Sequence, residues 1–238
     1  MQSIMSMSPL GLILSGLLLL LLLAVPALLL LVKTSVKKNP IVLLAGPSGS
    51  GKTSLFLRWT GSETTGETVT SVAPNEAVLT KHPEVTLVDT PGNERLVQLV
   101  RQYLVDGDVK VGVFVLDAAS GADRIREAAR PLMALLEAAE KRRFPVLIAA
   151  NKYDQFNSLS ITKVRSLLES ELNELRAIKA RTVQSSETTD DTWEYDEFLG
   201  LDGKNFEFAD LETEVEVLDG TVYANRLGKW ENYVQQCI

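Results

Sequence analysis

The chain has 238 residues, a hydrophobic fraction of 45% and a formal net charge of −7 with its histidine neutral. That length allows one or two domains. An acidic chain without basic clusters is a poor nucleic-acid binder, because that binding depends on neutralising phosphates. The sequence has one cysteine, Cys237, which excludes an internal disulfide, and no group of cysteines and histidines indicates a metal site.

The N-terminal region is strongly apolar. Residues 1–32 contain no charged side chain, and residues 10–32 are almost wholly apolar, with leucine dominant. A helix of about 20 apolar residues crosses a hydrocarbon core roughly 30 Å thick. A cleaved signal peptide has a basic segment before an apolar run of about 7–15 residues, and a buried core helix has a polar face. Neither matches, so we predict a transmembrane helix over residues 10–32, after a short segment over residues 1–9.

Three lysines, Lys33, Lys37 and Lys38, follow this apolar run, and no basic residue precedes it. Positive charge favours the cytosolic side of a membrane span. We therefore expect a juxtamembrane linker over residues 33–39 and a cytosolic domain over residues 40–238.

The predicted domain opens with an apolar run, Ile41–Ala45, followed by a glycine-rich loop with the complete spacing Gly-x-x-x-x-Gly-Lys-Thr. A strand, a glycine loop and a helix start in this order are typical of a phosphate-binding loop. Backbone N–H groups and the helix N-terminus then hold a polyphosphate. The predicted phosphate-binding residues are Gly46, Pro47, Ser48, Gly49, Ser50, Gly51, Lys52, Thr53 and Ser54.

Two side chains of this loop have defined roles in such a site. Lys52 would reach the β- and γ-phosphates, and the hydroxyl of Thr53 would bind Mg²⁺. The alternative is a glycine-rich turn without a ligand, which requires the full spacing to arise by chance between a strand and a helix.

A polar stretch, residues 62–75, follows the first predicted helix and has neither helical nor strand periodicity. In a nucleotide switch protein, a mobile loop at this point offers a threonine or serine to Mg²⁺ and the γ-phosphate. A solvated surface loop has the same composition, so the residues alone do not separate the two interpretations.

Two short runs, Ala77–Thr80 and Val85–Asp89, predict an antiparallel hairpin. The second run continues into Asp89-Thr90-Pro91-Gly92. An acidic residue at the end of a strand suits the hydration shell of Mg²⁺, so Asp89 is predicted to bind the ion through water. The backbone N–H of Gly92 is predicted to face the γ-phosphate.

The rest of the chain alternates buried strands with amphipathic helices. The further predicted strands are Val111–Leu116, Phe144–Ala150 and Val215–Leu218. The further predicted helices are Glu94–Val105, Ala122–Lys141 with a kink or restart at Pro131, Ile161–Lys179 and Ala224–Gln236. An acidic, aperiodic stretch over residues 182–205 predicts a mobile insertion. The alternation predicts a doubly wound α/β domain with a mostly parallel sheet of about six strands and a ligand at their carboxyl ends.

The strand Phe144–Ala150 leads directly into Asn151-Lys152-Tyr153-Asp154. The Asp154 carboxylate can accept hydrogen bonds from the ring N–H and the exocyclic amine of guanine together, whereas adenine has no such paired donors. A buried carboxylate left unpaired rejects the wrong base strongly. Lys152 can lay its stem over the base, and Asn151 can tie loops together. With the two earlier motifs in this order, the tetrapeptide favours guanine over adenine.

Together these motifs make the chain resemble the Ras-like GTPase superfamily and, within it, the family of signal recognition particle receptor beta subunits. The resemblance covers nearly the whole chain. It rests on the apolar N-terminal run, Gly46–Thr53, Asp89–Gly92, Asn151–Asp154 and the stretch Asn205–Leu211 before the last predicted strand.

The resemblance implies a GTPase domain on a membrane anchor, with GTP or GDP and Mg²⁺ as ligands. It implies the receptor's alpha subunit as partner, bound through its amino-terminal domain, and the endoplasmic reticulum membrane as location. It also implies proximity to the ribosome or translocon without direct nucleic-acid binding. By position, Thr70 is the switch ligand of Mg²⁺. Thr221 and Val222 belong to the final base-contacting loop, where only a small residue and a hydroxyl of the family's usual Cys-Ser-Ala-Lys are retained.

One departure concerns hydrolysis. Ras-like hydrolases place a glutamine after Asp-x-x-Gly to orient the attacking water, whereas this chain has Asn93. We therefore expect tight GTP binding with slow hydrolysis. An actively cycling, Arf-like membrane GTPase of vesicle traffic is the alternative, which rapid activator-stimulated hydrolysis would favour. A P-loop kinase is a third, disfavoured by Asn151–Asp154.

Overall fold

The computed structural model describes residues 18–25, 39–61, 74–92, 103, 107–185, 199–200 and 203–238. Residue contacts divide the chain into two units, Met1–Lys38 and Asn39–Ile238. In the first unit, residues 18–25 are helical and their leucine side chains are exposed. Across the described ranges, no helix combines the length and hydropathy needed to cross a membrane. The predicted span covers residues 10–32, and its other residues, 10–17 and 26–32, lie outside the described residues.

The second unit is built on a six-stranded sheet with the order β2-β3-β1-β4-β5-β6. The strands are β1 Pro40–Ala45, β2 Asn75–Val78, β3 Thr86–Asp89, β4 Asp108–Asp117, β5 Val146–Asn151 and β6 Val215–Asp219. Five strands are parallel, and β2 alone pairs antiparallel with β3. The predicted mostly parallel sheet of about six strands is therefore confirmed.

Both faces of the sheet are covered, as continuous apolar strands require. Side chains alternate along β1, so that Val42 and Leu44 belong to one buried cluster and Leu43 and Ala45 to another. A two-sided core of this kind leaves the loops at the strand ends as the places where a polar ligand can bind.

The helices are α1 Lys52–Trp59, α2 Ala122–Glu127, α3 Ala129–Arg142, α4 Ile161–Ser185 and α5 Gly228–Cys237. α1 and α5 bury apolar side chains on one face of the sheet, for example Leu55 and Trp230. α2, α3 and α4 cover the other face, for example through Leu132 and Leu168. The domain is thus doubly wound, as predicted.

One predicted helix break is confirmed, and one helix boundary differs from the prediction. The helix predicted over Ala122–Lys141 with a kink or restart at Pro131 is interrupted at Ala128, because Pro131 lacks an N–H and its ring crowds the carbonyl of Glu127. The last helix begins at Gly228 and not at Ala224, because Thr221 and Arg226 pair across a tight turn. Asn225 lies in that turn with φ 53°, a left-handed conformation that interrupts a helix.

Other boundaries shift without changing the topology. The strand predicted at Ala77–Thr80 lies at Asn75–Val78, and the helix predicted to end at Lys179 continues to Ser185. Further predictions fall outside the described residues: residues 62–73 of the predicted switch loop with the ligand Thr70, the residue Asn93, and the helix Glu94–Val105 apart from Tyr103. Most of the predicted insertion, residues 182–205, lies outside them as well.

Candidate nucleotide-binding site

The predicted site residues meet at one edge of the sheet because they follow the carboxyl ends of parallel strands. The loop 46–51 follows β1, Asp89 ends β3, Asn151 ends β5, and Gly220 follows β6. Each strand ends at the same edge, so residues far apart in sequence become neighbours. The edge can therefore hold one extended ligand.

The glycine loop has a backbone that only glycine permits. Gly46 has φ 135°, and a Cβ added there would lie 2.1 Å from the carbonyl oxygen of Val115 on β4. Gly51 has φ 97°, and its carbonyl accepts the N–H of Leu55 at 3.0 Å, which starts α1. The loop thus turns directly into a helix whose N-terminal N–H groups face it, and Ser54 lies in the first turn of that helix.

Lys52 is buried inside this loop, with 6% of its surface exposed. Its Nζ donates a hydrogen bond to the carbonyl oxygen of Pro47 at 2.8 Å. Burial lowers the pKa of Lys52 to about 8, although the charge of Asp89 raises it in part. A desolvated ammonium among backbone N–H groups is the chemistry that a phosphate group requires.

The predicted magnesium ligands lie side by side. The Thr53 hydroxyl donates to Oδ2 of Asp89 at 2.9 Å, and Asp89 is fully buried. The amide of Asn75, the first residue of β2, approaches the same oxygen at 3.4 Å. Thr90 anchors the end of β3, since both its N–H and its hydroxyl donate to the carbonyl oxygen of Leu44.

This donor set fits Mg²⁺. A hydroxyl and a carboxylate supply hard oxygen atoms, and Mg²⁺ binds through few protein ligands because phosphates and water complete its shell. In the described part of the chain, no group of three or more His, Cys, Asp or Glu residues could hold a metal ion alone.

Gly92 lies against the glycine loop. A Cβ added to Gly92 would lie 2.5 Å from the backbone nitrogen of Ser48 and 2.8 Å from the carbonyl carbon of Pro47. No side chain fits there, so the backbone at Gly92 can approach a phosphate held by the loop.

Asn151 ties the two ends of the site together and is 3% exposed. Its Nδ2 donates to the carbonyl oxygen of Ser50 at 2.8 Å. Its Oδ1 accepts the N–H of Val222 at 3.0 Å. One amide therefore fixes the glycine loop relative to the loop after β6, and the N–H of Val222 is occupied by this bond.

Asp154 faces a separate cavity of about 290 Å³ at this edge of the sheet. The cavity is lined by Tyr153, Asp154, Asp219, Gly220, Thr221, Arg226, Gly228 and Lys229. The N–H of Tyr153 donates to the carbonyl oxygen of Gly220 at 3.2 Å, which joins the two loops that line it. Asp154 and Thr221 are thus brought together, as the predicted base site requires.

The sequence interpretation missed Asp117, the last residue of β4. The Lys152 Nζ donates to Oδ2 of Asp117 at 2.7 Å and to the carbonyl oxygen of Gly49 at 3.1 Å. A signal for Asp117 was present, because it ends a buried strand with an acidic residue in the same way as Asp89.

The comparison with known families decides the family of this chain. A family model described as "Signal recognition particle receptor beta subunit" matches residues 37–215. The chain belongs to this family.

Known relatives agree with this assignment. Signal recognition particle receptor subunit beta of Saccharomyces cerevisiae is 28% identical over 217 residues, which cover 86% of this chain and 88% of that protein. The structure of SRb-GDP-Mg from Chaetomium thermophilum is 27% identical with a TM-score of 0.67, covering 86% of this chain and all of that one. An SRb-GTP/SRX complex from the same organism gives 26% identity and a TM-score of 0.67, covering 85% of this chain and all of that one.

Proposed function

We propose that this chain is the membrane-anchored, GTP-binding subunit of a signal recognition particle receptor, and that nucleotide binding controls its assembly with the alpha subunit. One observation carries the proposal. The loop 46–51 is contacted at one end by the buried Lys52 and at the other by Asn151 and Lys152. A phosphate site and a base site joined through one loop suit a guanine nucleotide.

The residues present fit GTP or GDP with Mg²⁺. The backbone of residues 46–51, Lys52 and Gly92 would hold the phosphates, Thr53 would bind the ion, and Asp89 would hold its water. Asp154, with Lys152 and the loop of Thr221 and Val222, would hold the guanine. When bound, Mg²⁺ neutralises phosphate charge. A relative solved as SRb-GDP-Mg supports this choice of ligands.

The link from nucleotide to partner is proposed to pass through β2. Asn75 begins β2, closes the predicted switch loop over residues 62–75, and contacts Oδ2 of Asp89. Asn75 would therefore connect Asp89, which would hold the water of a bound Mg²⁺, to the edge strand of the sheet. γ-Phosphate contacts that order or release a segment are a common basis of GTPase switching. The SRb-GTP/SRX complex among the similar structures supports a nucleotide-dependent partner.

The proposal places the domain on the cytosolic side of the endoplasmic reticulum membrane, anchored by residues 10–32. The charge-free apolar run supports the anchor, and the lysines after it support the cytosolic side. The choice of the endoplasmic reticulum rests on the family. It also includes slow intrinsic hydrolysis of GTP, because Asn93 replaces the water-orienting glutamine of Ras-like hydrolases.

Thr53→Asn is expected to abolish capture of the alpha subunit. The substitution removes the hydroxyl that lies 2.9 Å from Asp89 and would bind Mg²⁺. The full chain is solubilised in detergent, loaded with GTP and immobilised, and the amount of alpha subunit that it captures is measured. We expect recovery to fall roughly 10-fold or more, as loss of a hydrogen bond to a charged group allows.

Thr60→Asn is the matched control, because Thr60 follows the same helix and its hydroxyl donates to the backbone carbonyls of Phe56 and Leu57 in α1. Its recovery should equal that of the wild type. Capture of the alpha subunit by Thr53→Asn at the wild-type level would refute nucleotide control of assembly.

A further inference from the structure

Asp117 occupies a defined place between the two halves of the candidate site. It is the last residue of β4 and pairs in register with Asn151, the last residue of β5. Lys152 follows Asn151, so the sheet register sets Asp117 beside the lysine of the base motif. The two side chains are largely shielded, with 21% of Asp117 and 34% of Lys152 exposed.

Both oxygens of the Asp117 carboxylate are engaged. Oδ1 accepts the N–H of Ala119 at 2.9 Å, and Oδ2 accepts Nζ of Lys152 at 2.7 Å. The hydroxyl of Ser120 donates to the Asp117 carbonyl oxygen at 2.7 Å, which holds the turn after β4. The carboxylate is therefore held by the turn after β4 as well as by the lysine.

The lysine is held at both of its ends. Its backbone has φ 60°, in the left-handed region, and its Nζ also contacts the carbonyl oxygen of Gly49 in the glycine loop. A free lysine side chain samples many rotamers, and fixing it on ligand binding costs conformational entropy. Because Asp117 already holds the ammonium, the side chain of Lys152 loses this conformational entropy when the protein folds and not when the nucleotide binds.

We propose that Asp117 is a positioning residue for the guanine base: its carboxylate holds the Lys152 ammonium against the glycine loop, so that the lysine stem is set against the base plane before the nucleotide arrives. This inference rests on the proposed guanine-nucleotide function. Asp117 itself contacts neither base nor phosphate in this assignment. It acts through Lys152.

A second ion pair in the molecule provides a control. It distinguishes positioning of the guanine base from general stabilisation of the fold. Lys179 on α4 donates to Glu137 on α3 at 2.8 Å, with 36% and 14% of their side chains exposed. Its geometry and exposure resemble those of the Asp117–Lys152 pair, but Glu137 and Lys179 join two helices away from the glycine loop. Glu137→Ala is therefore a matched control that removes an equivalent charge pair.

The test is a double-mutant cycle on the full chain in mild detergent, using Asp117→Ala, Lys152→Ala and the double variant. The measurement is the dissociation rate of fluorescently labelled GDP with Mg²⁺ present. We expect Asp117→Ala to accelerate dissociation roughly 10- to 100-fold, the range of a hydrogen bond to a charged group. In the Lys152→Ala background, Asp117→Ala should add less than about twofold, because coupled residues are non-additive. Glu137→Ala should leave the rate within about twofold of the wild type.

Asp117→Asn tests whether nucleotide binding depends on the negative charge of Asp117 or on its hydrogen bond to the turn after β4. Asparagine keeps an oxygen for the Ala119 N–H but loses the charge that holds Lys152, so dissociation should stay fast. A wild-type rate for Asp117→Asn, or equal effects of Asp117→Ala with and without Lys152, would overturn the inference while leaving the proposed function intact. A wild-type chain that binds no labelled GDP would overturn both.

Discussion

Asp154→Asn is expected to change the preferred base from guanine to xanthine. The Asp154 carboxylate can accept the ring N–H and the 2-amino group of guanine together. Asparagine keeps one acceptor but presents an amide donor to the second position. Xanthine has a carbonyl oxygen there, so it complements asparagine as guanine complements aspartate. Sites built around such hydrogen bonds reject the wrong partner strongly because buried polar groups are left unpaired.

The measurement is the dissociation constant of GDP and of XDP for the wild type and for Asp154→Asn. We expect the ratio of XDP to GDP affinity to rise roughly 10³-fold or more in the variant. Asp123→Asn is the control, since Asp123 is an exposed carboxylate on α2 paired with Arg126. An unchanged ratio in Asp154→Asn would show that Asp154 does not read the base.

The second large effect is expected at Lys52. Lys52→Ala should weaken GDP binding roughly 10²- to 10³-fold, the cost of leaving a buried charge without its partner. Lys52 is 6% exposed, so the ammonium acts at low dielectric, where its attraction for phosphate is strong. Burial lowers the pKa of Lys52 to about 8, which shows that burying its charge is unfavourable, and bound phosphates would offset that cost.

Equilibrium dialysis with GDP and with guanosine measures this effect. Guanosine lacks phosphates, so its affinity should be the same in Lys52→Ala and in the wild type. Lys81→Ala, which removes an exposed lysine paired with Glu231, should change neither affinity. Equal losses for GDP and guanosine would contradict the assignment of Lys52 to the phosphates.

Much of the site was predictable because its parts are local. Gly46–Thr53, Asp89–Gly92 and Asn151–Asp154 each follow a buried apolar strand, and parallel strands place their carboxyl ends at one edge. The spacing within each stretch specifies the chemistry, and the strands specify where the stretches meet. The sequence pattern within each stretch and the position of its strand in the sheet agree. The fold class and the arrangement of the three motifs at one edge of the sheet could therefore be predicted.

Other features depend on contacts that a linear pattern does not contain. Asp117 and Lys152 are 35 positions apart, and their pairing follows from the register of β4 with β5. The start of α5 at Gly228 follows from the pairing of Thr221 with Arg226, although the apolar spacing of Leu227, Trp230 and Val234 predicts a helix from Ala224. The first contact joins two strands that are distant in sequence, and in the second a hydrogen-bonded turn overrides the local preference for helix.

The most direct test of the account is the nucleotide that accompanies the protein. The full chain is purified in mild detergent with Mg²⁺, denatured, and the released small molecules are separated and quantified by chromatography. We expect GTP or GDP in amounts matching the protein from the wild type, and little from Lys52→Ala. Wild-type protein that binds its alpha subunit but releases no guanine nucleotide would contradict it.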